Sequence, residues 1–243
     1  PVSVEPASIG ASAPKETRRL KGAEIFFDTV TVGGTENALM AASLAEGVSV
    51  LRNAACEPEI INLAGMLGCM GARIEGAGTS VITIEGVEKL GGCRYPIIPD
   101  RIEAGTYLIA GALLGEPLTV RGARHEHLRA LLDKLREAGA EISTTNDSVT
   151  IRRPAGGGFL KAVDIRTAPF PGFPTDIQAQ MMTLLTQANG VSPLQENIFA
   201  NRFMHLSELT RLGAKIKCAR RTAAGRGPVA REPRVGRAED VGR

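Results

Sequence analysis

Apolar and polar residues alternate where the regular part of the chain begins, and the spacing then becomes helical. Residues 25–32 show a period of two, which predicts a strand. Gly33 and Gly34 end this strand, and Thr35 is a candidate N-cap for a helix over residues 36–46. The chain therefore opens with a strand followed by a capped helix.

The same succession returns twice. Each unit has a capped helix, a glycine that ends it, a strand, a second helix and a Gly-Ala pair before the next strand. The landmarks are the N-cap candidates Thr35, Asp100 and Thr175, the helix-ending glycines Gly47, Gly115 and Gly190, and the pairs Gly71-Ala72, Gly139-Ala140 and Gly213-Ala214. The single glycines are 68 and 75 positions apart and the pairs 68 and 74, so two independent landmarks keep one period. The sequence thus predicts βαβαββ-like units in tandem.

One such unit cannot cover its own helices, so the units must pack on one another, with helices inside and sheets outside or the reverse. We therefore predict an α/β (α+β) fold. Two prolines in residues 95–101 mark a boundary between domains at 18–98 and 99–218. Residues 1–17 are predicted to be a disordered or displaced lead-in.

Residues 219–243 contain no Ile, Leu, Met or aromatic residue. We expect this Arg-, Gly- and Pro-rich segment to be disordered and unable to close the third unit with a hairpin. The abrupt change in composition is typical of a shifted reading frame or an abnormal terminus.

The charge distribution argues against a nucleic-acid-binding face. The net charge is +3, but residues 219–243 hold seven arginines against three acids, so the rest of the chain is close to neutral. At 43% apolar and 23% charged residues, the composition is that of a soluble globular protein.

Neither a membrane span nor an export leader is recognisable in the sequence, which predicts a cytoplasmic protein. The scattered cysteines Cys56, Cys69, Cys93 and Cys218 indicate reduced thiols rather than a disulfide framework or a zinc site. His125 and His127 are two positions apart and point away from each other on a helix, so we expect no metal and no cofactor.

Residues 168–180 are the most informative stretch. Three prolines stiffen the backbone, and Thr175 and Gln178 have the spacing of a capping box, which predicts a helix starting at Asp176. Two interpretations of Asp176 are open on local chemistry alone. The carboxylate either complements the helix dipole or serves as an ionised base facing a cleft.

Several ordered blocks, taken together with the repeat, resemble the enolpyruvyl transferases over residues 18–218. The most specific are Phe173-Pro-Thr-Asp-Ile-Gln-Ala-Gln180 and Asn201-Arg-Phe-Met-His205. The others are residues 19–23, 31–37, 44–47, 53–60, 99–103 and 166–169. These blocks resemble the branch that acts on UDP-N-acetylglucosamine more closely than the shikimate-pathway branch.

The resemblance implies a fold of two domains with three units each, an inside-out α/β prism with the active site between the domains. Residues 18–98 match the last unit of one domain, and residues 99–218 match the first two units of the other. About three of the six units are therefore present.

The implied reaction transfers an enolpyruvyl group from phosphoenolpyruvate to the 3′-hydroxyl of UDP-N-acetylglucosamine, the first committed step of peptidoglycan synthesis. By resemblance, Asp176 is the base for that hydroxyl and a ligand of the sugar. Thr31, Val32, Gly33 and Ile198 match contacts to the nucleotide sugar, and Arg202 lies in a motif that lines the cleft.

The departures from the family pattern concern the phosphoenolpyruvate side. Thr29 replaces a lysine that is frequent next to the nucleotide segment. The Pro-Gly-Gly-Cys-Ala loop with its cysteine acid is absent from these residues, as are the phosphate-binding cations. Gly91-Gly92-Cys93 lacks the rest of that motif, so we do not expect Cys93 to be catalytic. The isolated chain is accordingly predicted to be inactive.

Two alternatives remain at this point. One is an enzyme of the 3-phosphoshikimate 1-carboxyvinyltransferase type, which shares the repeat and the phosphoenolpyruvate chemistry. The other is a non-catalytic binding protein whose Arg-rich tail recruits RNA.

Overall fold

The computed structural model describes residues 2–5, 8–11, 19–154, 160–219 and 222–227. The chain divides into two compact units between Ile98 and Pro99, and Pro169–Pro171 groups with the first unit. This division falls inside the proline-bearing passage, residues 95–101, that the sequence marks as a boundary. Within the described ranges, no helix is long and apolar enough to cross a membrane.

The chain begins with a small sheet of its own. Strands β1 (Val2–Glu5) and β2 (Ser8–Ala11) pair antiparallel, whereas the sequence predicts a disordered or displaced lead-in over residues 1–17. The pairing uses backbone N–H and carbonyl groups, so it does not require a high apolar content. Residues 12–17 lie outside the described part of the chain.

The first unit also contains one repeat with four strands and two helices. Its elements are β3 (Glu24–Phe26), α1 (Val32–Ser43), β4 (Val48–Arg52), α2 (Pro58–Cys69), β5 (Arg73–Glu75) and β6 (Val81–Glu85). The sheet order is β3-β4-β6-β5, with β3 parallel to β4 and the other neighbours antiparallel. Alternate residues of β4 and β6 are buried and pack with the helices in one core, which includes Leu39, Leu51, Ile60, Ile82 and Ile84.

The second unit contains two further repeats. The first comprises α3 (Arg101–Leu114), β7 (Leu118–Arg121), a 3-10 turn (His125–Leu128), α4 (Arg129–Glu137), β8 (Glu141–Thr144) and β9 (Ser148–Arg152), with the antiparallel strand order β7-β9-β8. The second comprises β10 (Ile165–Arg166), a 3-10 turn (Thr175–Ile177), α5 (Gln178–Leu185), β11 (Val191–Gln195), α6 (His205–Arg211), β12 (Lys215–Ala219) and β13 (Thr222–Arg226). Its order β10-β11-β13-β12 repeats the topology of the first unit's four-stranded sheet.

Helices lie on the inside of the second unit. Helix α3 packs against β7 and β9, α5 packs against β13, and the two helices contact each other. The side chain of Gln180 on α5 donates a hydrogen bond to the hydroxyl of Thr106 on α3 at 3.0 Å. One continuous apolar core joins the two repeats and includes Leu108, Leu131, Leu135, Ile177 and Met181. The predicted α/β class is confirmed, and of its two predicted packings the one with helices inside is observed here.

The four-stranded sheets of the two units share details that identify them as copies of one motif. The N–H of Ala23 donates to the hydroxyl of Ser49 at 3.4 Å in the first unit. The N–H of Val163 donates to the hydroxyl of Ser192 at 3.2 Å in the second. Each serine is the second residue of the strand that follows the first helix of its repeat. The periodicity predicted from the glycines is therefore a periodicity of structure.

The first helix begins earlier than the sequence predicts. Thr31, not Thr35, is the N-cap of α1, and its hydroxyl accepts the N–H of Gly34 at 3.2 Å. Thr35 is fully buried inside the helix, where its hydroxyl donates to the carbonyl of Thr31 and accepts the N–H of Ala55. The glycines that suggested a strand end are thus in the first turn. The predicted cap at Asp100 is confirmed, because its carboxylate accepts the N–H groups of residues 102 and 103.

A strand that the sequence does not predict, β13, closes the third repeat. Strand β13 pairs with β11 on one side and with β12 on the other, so the expectation of a disordered segment from residue 219 is wrong for Thr222–Arg226. Small residues suffice because the pairing uses backbone groups, and Ala223 is fully buried. Residues 228–243 lie outside the described part of the chain.

Gly86 and Gly227 follow the last strands of their sheets and occupy equivalent positions. A Cβ at Gly86 would overlap the carbonyl oxygen of Ala45, and a Cβ at Gly227 would overlap that of Ala188. Ala45 and Ala188 each precede a helix-ending glycine by two residues. A glycine at this spacing is a sequence signal for the closing strand that side-chain apolarity does not provide.

We expect Gly86→Ala to lower the free energy of unfolding by about 1–3 kcal/mol, because its Cβ would meet the Ala45 backbone. Gly68, in helix α2, is the matched control, since a Cβ there would have no neighbour within 4 Å. Gly68→Ala should raise the stability by about 0.5–1 kcal/mol. Urea unfolding of both variants measures the two effects, and a change of the same sign in both would contradict the structure of this turn.

Candidate functional site

The nucleotide segment proposed from the sequence forms the start of α1 in the first unit. Thr31 caps the helix, while Val32 and Gly33 are exposed in its first turn. A Cβ at Gly33 would meet nothing within 4 Å, so the surface above it is open. The first N–H groups of a helix lack intrahelical acceptors and lie at the positive end of its dipole. This segment therefore presents backbone donors to an anionic or polar ligand.

Asp176 lies in the second unit, between two buried apolar anchors. Phe173 is 5% exposed and Ile177 is fully buried, so the backbone on both sides of Asp176 is held by the core. The carbonyl of Phe173 also accepts the N–H of Ala168 at 3.0 Å, which closes the preceding loop. The side chain of Asp176 is 49% exposed. A stiff loop thus carries an accessible carboxylate, as the sequence predicts.

The capping box predicted for this helix is wrong. Residues Thr175–Ile177 form a 3-10 turn, α5 begins at Gln178, and neither start has a side-chain cap. The hydroxyl of Thr175 donates instead to the carboxylate of Glu196 at 2.9 Å. The amide of Gln178 donates to the carbonyl of Arg202 at 3.3 Å. Because both side chains form hydrogen bonds with residues distant in sequence, they do not cap the helix.

Glu196 is the centre of this arrangement and is fully buried. Its carboxylate accepts four hydrogen bonds from neutral donors. They are the hydroxyl of Thr167 at 2.8 Å, the hydroxyl of Thr175 at 2.9 Å, the N–H of Ile198 at 2.8 Å and the N–H of Phe199 at 3.1 Å. A buried carboxylate is tolerated when its oxygens are satisfied in this way. Glu196 therefore joins the loop before α5 to the turn after β11.

Arg202 connects this centre to Asp176. One guanidinium nitrogen donates to the hydroxyl of Thr175 at 3.2 Å, and another pairs with the carboxylate of Asp176 at 2.8 Å. The guanidinium carbon also lies 5.3 Å from the centroid of the Phe199 ring. A threonine hydroxyl can donate to Glu196 and accept from Arg202 at once, because it has one proton and two lone pairs. We call these connected residues, Thr167, Thr175, Asp176, Glu196 and Arg202, the Glu196 network.

The Glu196 network contains two of the residues that the sequence selected, Asp176 and Arg202, which form an ion pair. A third, Ile198, adjoins the network through its N–H, which donates to Glu196. Thr31, Val32 and Gly33 belong to the first compact unit. Chemically, the network orients an exposed carboxylate that can accept a proton from a hydroxyl group, next to a guanidinium that can bind an anion.

Glu196, Thr167 and the tertiary role of Thr175 are not predicted by the sequence. A glutamate directly after a strand is ordinarily exposed, so a single sequence carries no signal that this one is buried. The threonines stand in two of the blocks used for the family resemblance, residues 166–169 and 173–180, and membership of those blocks is the only sequence feature that could have pointed to them.

The other candidates for chemistry are not members of the Glu196 network. No group of three or more His, Cys, Asp or Glu residues within the described ranges could hold a metal ion. His125 and His127 are in the 3-10 turn before α4. His205 begins α6 and is half-buried, and this burial lowers the pKa of its imidazole. The Cys93 thiol is in the first unit and bonds the backbone of α2.

Comparison with known proteins identifies the family. The family model described as EPSP synthase (3-phosphoshikimate 1-carboxyvinyltransferase) matches residues 2–233. The chain belongs to the EPSP synthase family. Among solved structures, the enolpyruvyl transferase NikO from Streptomyces tendae superposes with a TM-score of 0.76 at 27% identity, over 86% of this chain and 52% of that one.

Curated relatives within the EPSP synthase family carry the name UDP-N-acetylglucosamine 1-carboxyvinyltransferase. The Nitrobacter winogradskyi protein is 53% identical over 222 residues, which are 91% of this chain and 51% of the relative. The Acidobacterium capsulatum protein is 57% identical over 210 residues, 86% of this chain and 48% of the relative. The chain therefore spans about half the length of the curated relatives it matches.

Proposed function

We propose that this chain is part of a UDP-N-acetylglucosamine 1-carboxyvinyltransferase and supplies the nucleotide-sugar side of its active site. The observation that carries the proposal is the ion pair of Asp176 with Arg202, held by the buried Glu196 at the family's Pro-Thr-Asp motif. Relatives at 53–57% identity carry that enzyme name. The product would enter peptidoglycan synthesis in the cytoplasm.

In the proposed reaction, the 3′-hydroxyl of UDP-N-acetylglucosamine attacks C2 of phosphoenolpyruvate and phosphate leaves. Asp176 takes the hydroxyl proton as the general base and also holds the sugar. Arg202 pairs with the carboxylate of Asp176 and keeps it in place. Thr31, Val32, Gly33 and Ile198 contact the nucleotide sugar, and no metal or organic cofactor takes part.

This sequence does not contain the residues that handle phosphoenolpyruvate in the family. It has no Pro-Gly-Gly-Cys-Ala motif, and the thiol of Cys93 is held against the carbonyl of Met66 at 3.8 Å. We therefore expect the purified chain to bind the nucleotide sugar without turning it over. Phosphate release at the rate of a full-length relative would contradict this expectation.

The proposal is tested by titrating the chain with UDP-N-acetylglucosamine and, separately, with shikimate 3-phosphate in a calorimeter. Binding of the first compound only supports the proposal, and binding of shikimate 3-phosphate only would assign the chain to the shikimate-pathway branch. RNA binding without either ligand would favour the non-catalytic alternative, in which the Arg-rich residues 219–243 recruit RNA.

Arg202→Lys should weaken UDP-N-acetylglucosamine binding by about tenfold. A lysine lacks the planar guanidinium whose two nitrogens contact Thr175 and Asp176 at the same time. Arg136→Lys is the matched control, because Arg136 pairs with Asp133 at 3.0 Å on the exposed face of α4. The control should leave the Kd unchanged within about twofold. The same calorimetric titration measures both variants, and an equal loss in the two would remove Arg202 from the site.

A further inference from the structure

A segment of the first unit runs along the outside of α2. In this segment, residues 91–98, which we call the strap, the N–H of Gly91 donates to the carbonyl of Met70 at 2.7 Å. At the other end, Asn62 donates to the carbonyl of Pro96 at 3.1 Å and accepts the N–H of Ile98 at 3.5 Å. The strap therefore runs antiparallel to α2.

Two cysteines face each other across this contact. Cys69 is the last residue of α2 and is exposed, and Cys93 is a half-buried residue of the strap. The Cys69 thiol donates to the carbonyl of Arg94 at 3.8 Å, and the Cys93 thiol donates to the carbonyl of Met66 at 3.8 Å. Each sulfur therefore lies against the backbone of the other segment, which places the two side chains next to each other.

The immediate surroundings of Cys93 show the same proximity. Loss of solvent raises the pKa of the Cys93 thiol, and its hydrogen bond with the Cys69 side chain raises it further. The other two cysteines have different positions. Cys56 stands before the start of α2, and Cys218 lies in β12 of the second unit.

We propose that Cys69 and Cys93 are a reversible oxidation site that forms a disulfide when the chain meets a peroxide. The exposed Cys69 sulfur is oxidised to a sulfenic acid, and hydrogen peroxide is reduced to water. The Cys93 sulfur then attacks the Cys69 sulfur, loses its proton and displaces hydroxide, so that a second water leaves and one S–S bond forms. A thiol reductant restores both cysteines.

The consequence is a covalent tie between the strap and α2. In the reduced chain, the hydrogen bonds described above hold the strap, and these can open locally. The disulfide would close a loop that contains β5 and β6 and would hold Arg94 against the helix end. Tryptic cleavage after Arg94 should therefore be slower in the oxidised chain than in the reduced chain.

The test treats the folded chain with hydrogen peroxide, removes the oxidant and maps the peptides without reduction. We expect one cross-link between the peptides of Cys69 and Cys93, a loss of two hydrogen atoms in mass, and a fall from four titratable thiols to two. Dithiothreitol should return all four. The time course of cleavage after Arg94 is followed in the same samples.

Single-serine variants complete the test. Cys69→Ser and Cys93→Ser should each abolish the intramolecular cross-link, whereas Cys56→Ser, the matched control from the same unit, should keep it. When the chain is oxidised in concentrated urea, Cys69 and Cys93 should no longer be cross-linked in preference to the other cysteine pairs. Oxidation of Cys69 without a cross-link, cross-links to Cys56 or Cys218 in similar yield, or unchanged cleavage after Arg94 would each overturn the proposal.

Discussion

Glu196→Ala is expected to lower the free energy of unfolding by about 3–5 kcal/mol. The carboxylate is fully buried and accepts four hydrogen bonds. Removing it leaves two hydroxyls and two backbone N–H groups without their acceptor, and each buried unsatisfied group costs about 1–3 kcal/mol unless water reaches it. The loss should appear in urea unfolding as a lower midpoint with an unchanged slope.

Two further variants separate the network from a general effect of charge. Glu208→Ala removes an exposed glutamate that pairs with Arg211 at 2.8 Å on α6, and should change stability by no more than about 0.5 kcal/mol. Glu196→Gln keeps the volume but replaces one acceptor with a donor, so we expect an intermediate loss of about 1–2 kcal/mol. A loss below about 1 kcal/mol for Glu196→Ala would mean that its partners find other acceptors.

Asp176→Asn is expected to lower kcat by about 10²–10⁴-fold in an enzyme that contains this chain's site. An asparagine keeps the shape of the side chain but cannot accept the hydroxyl proton, so the loss should fall on kcat more than on KM. The measurement needs a full-length protein. In a suitable chimera, residues 19–218 would replace the matching half of the Nitrobacter winogradskyi relative, which is 53% identical.

The matched control for this experiment is Asp133→Asn. Asp133 is also an exposed aspartate with an arginine partner, Arg136 at 3.0 Å, but it lies on α4 and is not a member of the Glu196 network. The control should leave phosphate release unchanged. If Asp176→Asn raises KM and leaves kcat intact, Asp176 holds the sugar without acting as the base. If the unsubstituted chimera is inactive, the enzyme proposal itself fails for this chain.

The fold was predictable where local chemistry and structure agree. The glycines that end helices adopt positive φ, as at Gly47 (88°) and Gly115 (93°), and a residue with a side chain is strained there. The carboxylate of Asp100 caps its helix through the N–H groups two and three positions later, which are always within its reach. At such positions, the residue type alone is enough to place the turn, because the preferred conformation needs no distant partner.

Predictions failed where a residue had a choice of partners. Thr31, Thr35 and Thr175 are all chemically suited to cap a helix, and only the first of them does so. Thr35 is inside α1 and bonds Ala55, while Thr175 bonds Glu196 across 21 positions of the chain. The competition is decided by what the folded chain brings near, which the spacing of residues does not encode.

The closing strand β13 was not predicted, for a different reason. Apolar content is a measure of the core a strand can bury, but Thr222–Arg226 is stabilised by backbone pairing on both sides. Its neighbours β11 and β12 provide the apolar side chains, including Leu194 on β11 and Ile216 on β12. A central strand of small residues is therefore invisible to a test based on hydrophobicity alone.

By itself, the sequence determined the repeat, the α/β class, the family resemblance and the candidate residues Asp176 and Arg202, because glycine spacing and ordered motifs are local properties. Only the tertiary structure decided that Glu196 is buried, that it joins Thr167 across 29 positions and Thr175 across 21, and that Arg202 links this centre to Asp176. Such bonds depend on which segments the packed core brings together. The same holds for the contact of Cys69 with Cys93.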